Sequence, residues 1–361
     1  MKGRTAPTIL VINPGSTSTK VALFRGQRRV FDSGVEHGYS CLNRFRRVVD
    51  QVSYRRRFVE REIRRHGVSL RAIDLFVGRG GLLRPVAGGV YAINAAMLKD
   101  LAESRYGEHA SNLGAILAHE LAREAGWARR AYIANPVVVD ELDPVARVSG
   151  HPAIPRRSIF HALNQKAVAG KVLRKLGKSA RQGRLIVAHV GGGISVGVHR
   201  AGRVVDVNDA LEGEGPFSPE RTGALPLLPF FRYVRGRGLS DADVKRMVTR
   251  QGGLLAHLGT NDCRRIVRRI RAGDRKARLV FEAFAYQVAR SVAAGTVALN
   301  GRVDAVVLTG NALKCAWLRS RLRRLLRFIG PVHVLAGSFE MEALAGAALE
   351  VYRGTRRAQR Y

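Results

Sequence analysis

The stretch Ile9–Phe24 reads ILVINPGSTSTKVALF, an apolar segment, a turn of small polar residues and a second apolar segment. Ile9–Ile12 and Val21–Phe24 are apolar and contain β-branched residues, which favours two strands. The residues between them are mostly Gly, Ser, Thr and Asn, which is typical of a turn. The sequence therefore predicts a strand–turn–strand hairpin here.

The same design returns about halfway along the chain. Leu185–Val190 is apolar apart from one histidine, Gly191–Gly193 is a turn of glycines, and Ile194–Val198 is again mostly apolar. The spacing of the two hairpins is near half the chain length. This spacing predicts a duplicated architecture of two lobes rather than a short-period repeat.

Strand and helix patterns alternate between and after the hairpins. Helical spacing of apolar residues is found at 44–66, 110–125, 162–176, 283–299, 313–328 and 341–352, and further strand candidates at 73–77, 132–134, 303–310 and 332–335. This alternation predicts an α/β fold with mostly buried sheets. We expect a first domain over 1–148, with the terminal segment 341–361 packing back on it, and a second over 149–340.

Composition limits the class of protein. The chain has 361 residues, 46% hydrophobic and 25% charged, which is ordinary for a globular protein and excludes a disordered one. No apolar run approaches the ~20 residues of a membrane span, so we expect no membrane partner. Residues 1–8 are mainly polar and basic, and Ile9–Ile12 is too short for a signal-peptide core, so we expect a cytoplasmic protein.

The charge is extreme: Lys+Arg 62 against Asp+Glu 28 gives +34. Such an excess can indicate binding to nucleic acids or other polyanions, and this is one functional hypothesis. Most arginine runs coincide with helical patterns, so we interpret them as solvated helix faces. They lack the interleaved aromatic residues that stack on bases, and we expect no specific nucleic-acid partner.

Glycine-rich and serine-rich turns after strands suit phosphate, because they offer N–H and hydroxyl donors with little bulk. Two such turns at matching positions predict a nucleotide phosphate chain held in a cleft between the lobes. The chain has no Walker-type GxxxxGK[ST] pattern, and Gly191–Gly193 does not fit GxGxxG before a helix. A P-loop and a Rossmann site are therefore not expected.

Several long motifs carry a family resemblance. Leu10–Lys20, LVINPGSTSTK, resembles the N-terminal signature of the acetate and butyrate kinase family. The segments Ser149–Lys166, Ala210–Gly223 and Leu258–Asp262 resemble its butyrate branch. The similarity runs from Ile9 to about Tyr352.

The resemblance implies two duplicated actin-like (ribonuclease H-like) lobes with a nucleotide cleft between them. It also implies Mg²⁺-assisted, in-line transfer of phosphate from ATP to a short-chain carboxylate such as butanoate, giving butanoyl phosphate, in a homodimer or higher homo-oligomer. A non-catalytic or regulatory ATP-binding member of the same superfamily is the alternative.

The resemblance also assigns roles to individual residues. The catalytic candidates are Arg79, His161, Arg221 and Asp140, and the metal candidates are Asn13 and Glu340. The nucleotide and phosphate candidates are Asn13, Ser16, Ser18, Lys20, His189, Gly191, Gly192, Gly193, Asp262 and Gly310.

The residues alone leave alternatives open. His161 could be a core histidine, and His189 could only support its turn. Glu141 and Asp143 compete with Asp140, and Glu342 competes with Glu340.

The expected substrate pocket comprises Gly80, Gly81 and Phe160. Glycines after Arg79 present no side chain, which predicts room for a longer acid. The alternative is that they serve only a tight turn and that other residues fill the space. One departure from the family pattern is Asn311 after Gly310, where a second glycine is usual. Asparagine tolerates a left-handed conformation better than most residues, so we expect the turn to survive.

Overall fold

The computed structural model describes residues 6–361. Its strands are β1 (Thr8–Pro14), β2 (Ser18–Arg25), β3 (Arg28–Glu36), β4 (Leu75–Arg79), β5 (Val90–Ala92), β6 (Ala131–Ala134), β7 (Arg184–Val190), β8 (Ile194–Arg200), β9 (Arg203–Val207), β10 (Ala305–Gly310), β11 (Val332–Ala336) and β12 (Gln359–Arg360).

The α-helices are α1 (Tyr39–Leu42), α2 (Val52–Arg65), α3 (Ala95–Ala102), α4 (Asn112–Glu124), α5 (Pro144–Arg147), α6 (Ala162–Lys175), α7 (Leu227–Gly236), α8 (Asp241–Arg250), α9 (Gly253–Leu258), α10 (Cys263–Arg271), α11 (Arg275–Ala294), α12 (Ala316–Leu326) and α13 (Glu340–Tyr352). Short 3₁₀ helices span Val48–Gln51, Leu70–Ala72, Ala128–Arg130, Val297–Leu299 and Asn311–Lys314.

The chain divides into two compact units. Unit 1 comprises Met1–Val139 and Phe339–Tyr361, and unit 2 comprises Asp140–Ser338. The first boundary falls earlier than the expected one at 148. The reason is that the intervening residues bond to unit 2: Asp143 N donates to the Val205 carbonyl at 2.9 Å, and Arg156 N to the Arg147 carbonyl at 2.9 Å.

Unit 1 is built on a seven-stranded sheet in the order β12-β5-β6-β4-β1-β2-β3. The predicted first hairpin is the antiparallel pair β1 and β2, and β4 pairs in parallel with β1. Helices α4 and α13 pack against β1, β4 and β6. Strand β1 is therefore buried almost throughout, which is why its sequence is a continuous apolar run.

Unit 2 contains a five-stranded sheet in the order β11-β10-β7-β8-β9. Strands β7, β8 and β9 pair antiparallel in sequence, and β10 pairs in parallel with both β7 and β11. In unit 1, β1, β2 and β3 form the same meander, with β4 parallel to β1 and β6 parallel to β4. Both meanders also shift register, at Leu23/Phe24 and at Val198/His199. The predicted duplication is confirmed.

Helix burial both supports and corrects the interpretation of the arginine runs. In α10, Ile266 and Ile270 are buried and Arg264, Arg265 and Arg268 are exposed, as expected for a solvated face. In α2 the interpretation is wrong for Arg55, whose exposed fraction is 0%.

Among the described helices, none combines the length and the apolar character that crossing a membrane requires. The polar start of the chain, on which the expectation of a leaderless protein partly rests, includes residues 1–5. These lie outside the described residues.

Candidate active site

Unit 1 brings together three of the predicted site residues, which we call the Arg79 cluster: Asn13, Arg79 and Glu340. Because β1 and β4 are parallel neighbours with Ile12 opposite Gly78, Asn13 and Arg79 follow at the same edge of the sheet. Asn13 Nδ2 donates to Glu340 Oε2 at 2.8 Å. Arg79 Nη1 donates to Asn13 Oδ1 at 3.4 Å, and its Nη2 lies 3.5 Å from Glu340 Oε1.

Glu340 and its rival Glu342 both lie in the first turn of α13 but have different partners. Glu340 is the first residue of the helix and is buried, where its carboxylate benefits from the positive end of the helix dipole. Glu342 lies 3.5 Å from Arg29 in a partly exposed ion pair. The structure therefore places Glu340, rather than Glu342, beside Arg79.

The first predicted phosphate turn joins β1 to β2. Gly15 N donates to the Ser18 carbonyl at 2.8 Å, which closes the turn. Ser16 and Lys20 are exposed and Ser18 is half-buried. The turn thus presents two hydroxyl groups and one ammonium group.

Asp140 is held in an ion pair with Arg147. Arg147 Nη1 donates to its Oδ2 at 2.6 Å and Arg147 Nη2 to its Oδ1 at 2.8 Å. The hydrogen bond raises the pKa of Arg147. Both carboxylate oxygens take part in this ion pair, and the predicted catalytic role of Asp140 stays a prediction. Of its rivals, Glu141 is bonded to Lys166 and Asp143 to Arg200.

The space beside Gly80 and Gly81 is filled. A Cβ at Gly80 would lie 2.5 Å from Pro136 Cβ, and one at Gly81 would lie 2.5 Å from Asn112 Cα. The two glycines therefore serve close packing, as the alternative interpretation held. Phe160, in unit 2, is almost fully buried.

Unit 2 holds the second group, built around the glycine turn Gly191–Gly193 that joins β7 to β8. Ser218 Oγ donates to the Gly192 carbonyl at 2.5 Å and accepts from Arg221 N at 2.9 Å. A Cβ at Gly193 would lie 2.2 Å from Arg221 Nη1, so the guanidinium lies directly against the turn. Arg221 also donates to the Ala210 carbonyl. The predicted glycine turn and arginine are thus brought together.

The two predicted histidines stack on each other. The rings of His161 and His189 lie 3.7 Å apart, centroid to centroid, at an interplanar angle of 4°. His161 is the N-cap residue of α6, and His189 is the penultimate residue of β7. Neither is an isolated core histidine.

Hydrogen bonds fix the proton of His161. Burial lowers the pKa of His199 to about 3, so this ring is neutral, and Gln165 Oε1 accepts from its Nε2 at 3.0 Å. Gln165 Nε2 then donates to the carbonyl and the Oγ of Ser195, at 3.1 and 2.8 Å. Ser195 Oγ also accepts from His161 N at 3.4 Å, so both of its lone pairs are engaged and its proton is directed to His161 Nδ1 at 2.9 Å. In the neutral form of His161 the imidazole proton is then on Nε2.

His189 is fixed in a similar way. Asn164 Nδ2 donates to His189 Nδ1 at 2.9 Å and to Thr309 Oγ1 at 3.1 Å. Sequence reasoning missed Asn164, Gln165 and Ser195. Their signal was weak but present, since all three are polar residues inside otherwise apolar helix or strand patterns.

The turn after β10 depends on Gly310. Its φ is +104°, and a Cβ there would lie 2.2 Å from the Val190 carbonyl oxygen. Asn311 instead opens a 3₁₀ helix and has no positive φ. The tolerance of asparagine for a left-handed conformation is therefore not needed here: the positive φ falls on Gly310, and Asn311 causes no backbone strain.

Asp262 forms its hydrogen bond within helix α10 and not with the glycine turn. It is the N-cap residue of α10, and its carboxylate accepts from Arg264 N at 2.8 Å. This hydrogen bond lowers the pKa of Asp262. The observed role is helix capping, and the predicted role in nucleotide binding stays a prediction.

Comparison with known proteins places the chain. The model of the acetokinase family matches residues 150–330. A protein of Coprothermobacter proteolyticus named "probable butyrate kinase" is 47% identical over 354 residues, which cover 98% of this chain and 99% of the relative. The chain belongs to the acetokinase family. A second "probable butyrate kinase", from Oleidesulfovibrio alaskensis, is 48% identical over 357 residues, with 96% of each chain covered.

Solved structures show the acetokinase fold. The acetate kinase of Porphyromonas gingivalis has a TM-score of 0.77 and 18% identity, and the match covers 96% of this chain and 100% of that one. The propionate kinase of Francisella tularensis has a TM-score of 0.70 and 20% identity, covering 94% and 98%. The predicted fold class, two duplicated actin-like units, is confirmed.

Acetokinases are kinases that use ATP and form acyl phosphates, so the family finding also supports the predicted class of reaction. It does not favour the non-catalytic alternative.

Proposed function

We propose that this acetokinase transfers the γ-phosphoryl group of ATP to butyrate, or to a related short- or branched-chain carboxylate, giving ADP and the acyl phosphate. The observation that carries the proposal is the convergence of Arg79 with Asn13 and Glu340, in a chain 47% identical to the Coprothermobacter relative.

The reaction sets a particular electrostatic task. A carboxylate oxygen bonds to the γ-phosphorus, the bond to the β,γ-bridging oxygen breaks, and the electron pair leaves with ADP. The acid is already ionised at neutral pH, so no catalytic base is needed. The barrier lies in joining two anions, which cations and hydrogen-bond donors lower.

Unit 1 is proposed to bind the acid. The guanidinium of Arg79 is held by Asn13 and Glu340 and is only partly exposed. Its planar fork suits a carboxylate or a phosphoryl group, each of which presents two oxygens. Arg79 would therefore orient the attacking oxygen and neutralise the transferring charge.

The Arg79 cluster also fits Mg²⁺. Asn13 Oδ1 and the Glu340 carboxylate are hard oxygen ligands held close together. Within residues 6–361 no group of three His, Cys, Asp or Glu side chains could enclose a metal ion. Two protein oxygens suit Mg²⁺, which keeps several waters and is usually completed by substrate phosphates. Bound there, Mg²⁺ would neutralise phosphate charge.

Unit 2 is proposed to bind the nucleotide through its glycine turn, and the first phosphate turn, in unit 1, is proposed to bind phosphate oxygens of the nucleotide as well. The Gly191–Gly193 turn carries no side chains that would block an approach to its backbone, and Gly310 ends the neighbouring strand β10. Arg221 would add a cation against the turn, and His161 would donate its Nε2 proton in a hydrogen bond to the phosphoryl group. The stacked His189 would keep the His161 ring in place.

The direct test is acyl hydroxamate formation from ATP, Mg²⁺ and butyrate with hydroxylamine as trap. We expect product that depends on all three reactants and on enzyme concentration. ATP binding without any acyl hydroxamate, over a panel of C2 to C5 acids, would refute the proposal in favour of a non-catalytic role.

Butyrate is expected to exceed acetate in kcat/KM by roughly tenfold or more. Each buried methylene contributes about 0.8 kcal/mol, and butyrate has two more than acetate. The measurement compares acetate, propionate, butyrate and isobutyrate under identical conditions. A preference for acetate would overturn the proposed chain length and leave the reaction class standing. Substitution at Gly81 is no test, because Asn112 occupies the adjoining space.

Ser195→Ala is expected to lower kcat by roughly tenfold with little change in the KM for ATP. The variant removes the hydroxyl that directs the proton of His161 to Nε2, and one such hydrogen bond contributes about 1 kcal/mol. Steady-state kinetics measure the effect, and Ser179→Ala, at an exposed serine, is the control. Unchanged kcat in a folded Ser195→Ala protein would contradict the assigned hydrogen bond.

We also propose a homo-oligomer that works in the cytoplasm, where ATP is supplied. Helix α7 supports association: Leu227, Leu228 and Phe231 are exposed, and none of its residues is buried. An apolar helix face of this kind favours burial against another copy of the chain.

A further inference from the structure

Arg55 is an arginine that the core of unit 1 encloses completely. It lies in helix α2 within a run of three arginines, of which Arg57 is exposed. No Asp or Glu of the described residues comes within ion-pairing distance of its guanidinium. Burying a charge without a carboxylate partner destabilises the folded protein, so other interactions must stabilise Arg55 in this position.

The guanidinium instead donates hydrogen bonds to carbonyl groups of the first phosphate turn. Its Nη1 donates to the carbonyls of Gly15 at 2.9 Å and Ser18 at 2.7 Å, and its Nη2 to that of Ser16 at 3.2 Å. Nη1 also donates to Thr19 Oγ1 at 3.0 Å. Gln51 Oε1 accepts from Nε at 3.0 Å and from Nη2 at 2.9 Å, which fixes the plane of the group.

These bonds account for nearly every carbonyl of the turn. The remaining one, that of Thr17, accepts from His37 N at 2.6 Å. Within the described part of the chain, the N–H groups of Ser16 and Thr17 donate to no other group. The turn is therefore held with its acceptors engaged, while two adjacent N–H donors have no partner among the described residues, which suits an anion.

The positive charge of the Arg55 guanidinium is not neutralised by a neighbouring acidic group among the described residues. Burial lowers the pKa of Arg55 to about 10, which leaves it protonated at neutral pH. The neighbouring His37 is neutral, since burial lowers its pKa to about 4, and its Nε2 lies 2.8 Å from Thr19 Oγ1. An anion at the turn would be attracted by a charge that water screens poorly.

We propose that Arg55 is a positioning residue of the phosphate site: it holds the Gly15–Ser18 turn in its anion-binding conformation and supplies positive charge behind it. The ligand is the phosphate chain of the nucleotide, so the inference rests on the proposed function.

The experiment compares ATP with adenosine, which lacks phosphates, by measuring the Kd of each without any carboxylate present. We expect Arg55→Met to weaken ATP binding by about tenfold or more and to leave adenosine binding unchanged, with Arg55→Lys between the two. Arg57→Met, in the same helix, is the matched control and should change neither Kd. Equal losses for ATP and adenosine would indicate a structural role only and overturn the proposal, as would unchanged ATP binding.

Gln51→Leu keeps the proposal falsifiable if the Arg55 variants do not fold. It leaves the charge in place but removes the acceptor that fixes the guanidinium plane. A severalfold weaker ATP Kd with unchanged adenosine Kd supports the proposal, and any other pattern overturns it.

The two proposals fail separately. Wild-type protein that forms no acyl hydroxamate but binds ATP in an Arg55-dependent way refutes the kinase proposal alone. Active wild type whose ATP affinity survives Arg55→Met refutes this inference alone.

Discussion

On the proposed function, Arg79→Ala is expected to lower kcat for acyl phosphate formation by roughly two orders of magnitude or more, because it removes the cation proposed to face the transferring charge. Asn13 and Glu340 keep their 2.8 Å hydrogen bond without the arginine, so the fold should persist. Steady-state turnover in the hydroxamate assay measures the loss, and thermal unfolding checks the fold.

Two companion variants sharpen the Arg79 test. Arg79→Lys keeps the charge but lacks the planar fork, so we expect an intermediate kcat. Arg71→Ala removes an exposed arginine of the same unit and should leave kcat unchanged. Near wild-type turnover in a folded Arg79→Ala protein would show that this arginine lies outside the site.

Arg221→Ala is expected to lower kcat by a similar factor, roughly two orders of magnitude. Its guanidinium lies against Gly193 and is anchored to the Ala210 carbonyl, so alanine leaves the glycine turn without its cation. The backbone bonds between Ser218 and Arg221 do not involve the side chain and should survive the substitution. Turnover and ATP affinity are measured together.

Arg278→Ala is the control for Arg221, because Arg278 is an exposed arginine of α11 in the same unit. A loss confined to ATP affinity, with kcat intact, would contradict a transition-state role for Arg221 and reassign it to nucleotide binding.

The duplication could be predicted because β1 and β7 are central strands. Both are buried along almost their whole length. The sequence of each strand is therefore mostly apolar and is followed by a turn of small residues. Strand β3 lies at a sheet edge, alternates poorly and carries four charged residues, and β12 has two residues. Such edges leave little periodic signal, so neither was predicted.

The site residues show a similar division. Sequence motifs predicted Asn13, Arg79 and His161, together with Arg221, as site residues. The hydrogen-bond and ion-pair partners of such residues depend on the folded chain and could not be predicted. The local sequence does not show that Asp140 forms an ion pair with Arg147, or that α13 begins at Glu340 rather than at Glu342.

The sequence position of Arg55 indicates burial, but its charge and its place in a run of arginines hide this indication. It lies at the spacing of the buried positions Phe58, Val59, Glu62 and Ile63, which form one face of α2. An arginine at a core position of a helix is a stronger indication of function than a run of arginines.

Because unit 1 is assembled from both ends of the chain, the order of synthesis matters. A ribosome makes all of Asp140–Ser338 before it adds Glu340, so the continuous unit can fold while its discontinuous neighbour is still waiting for α13 and β12. A nascent chain that stops short of residue 340 has Arg79 without its carboxylate neighbour, and it has β5 paired with β6 but not with β12. On the proposed function, a chain that stops before residue 340 would therefore lack part of the proposed acid-binding site.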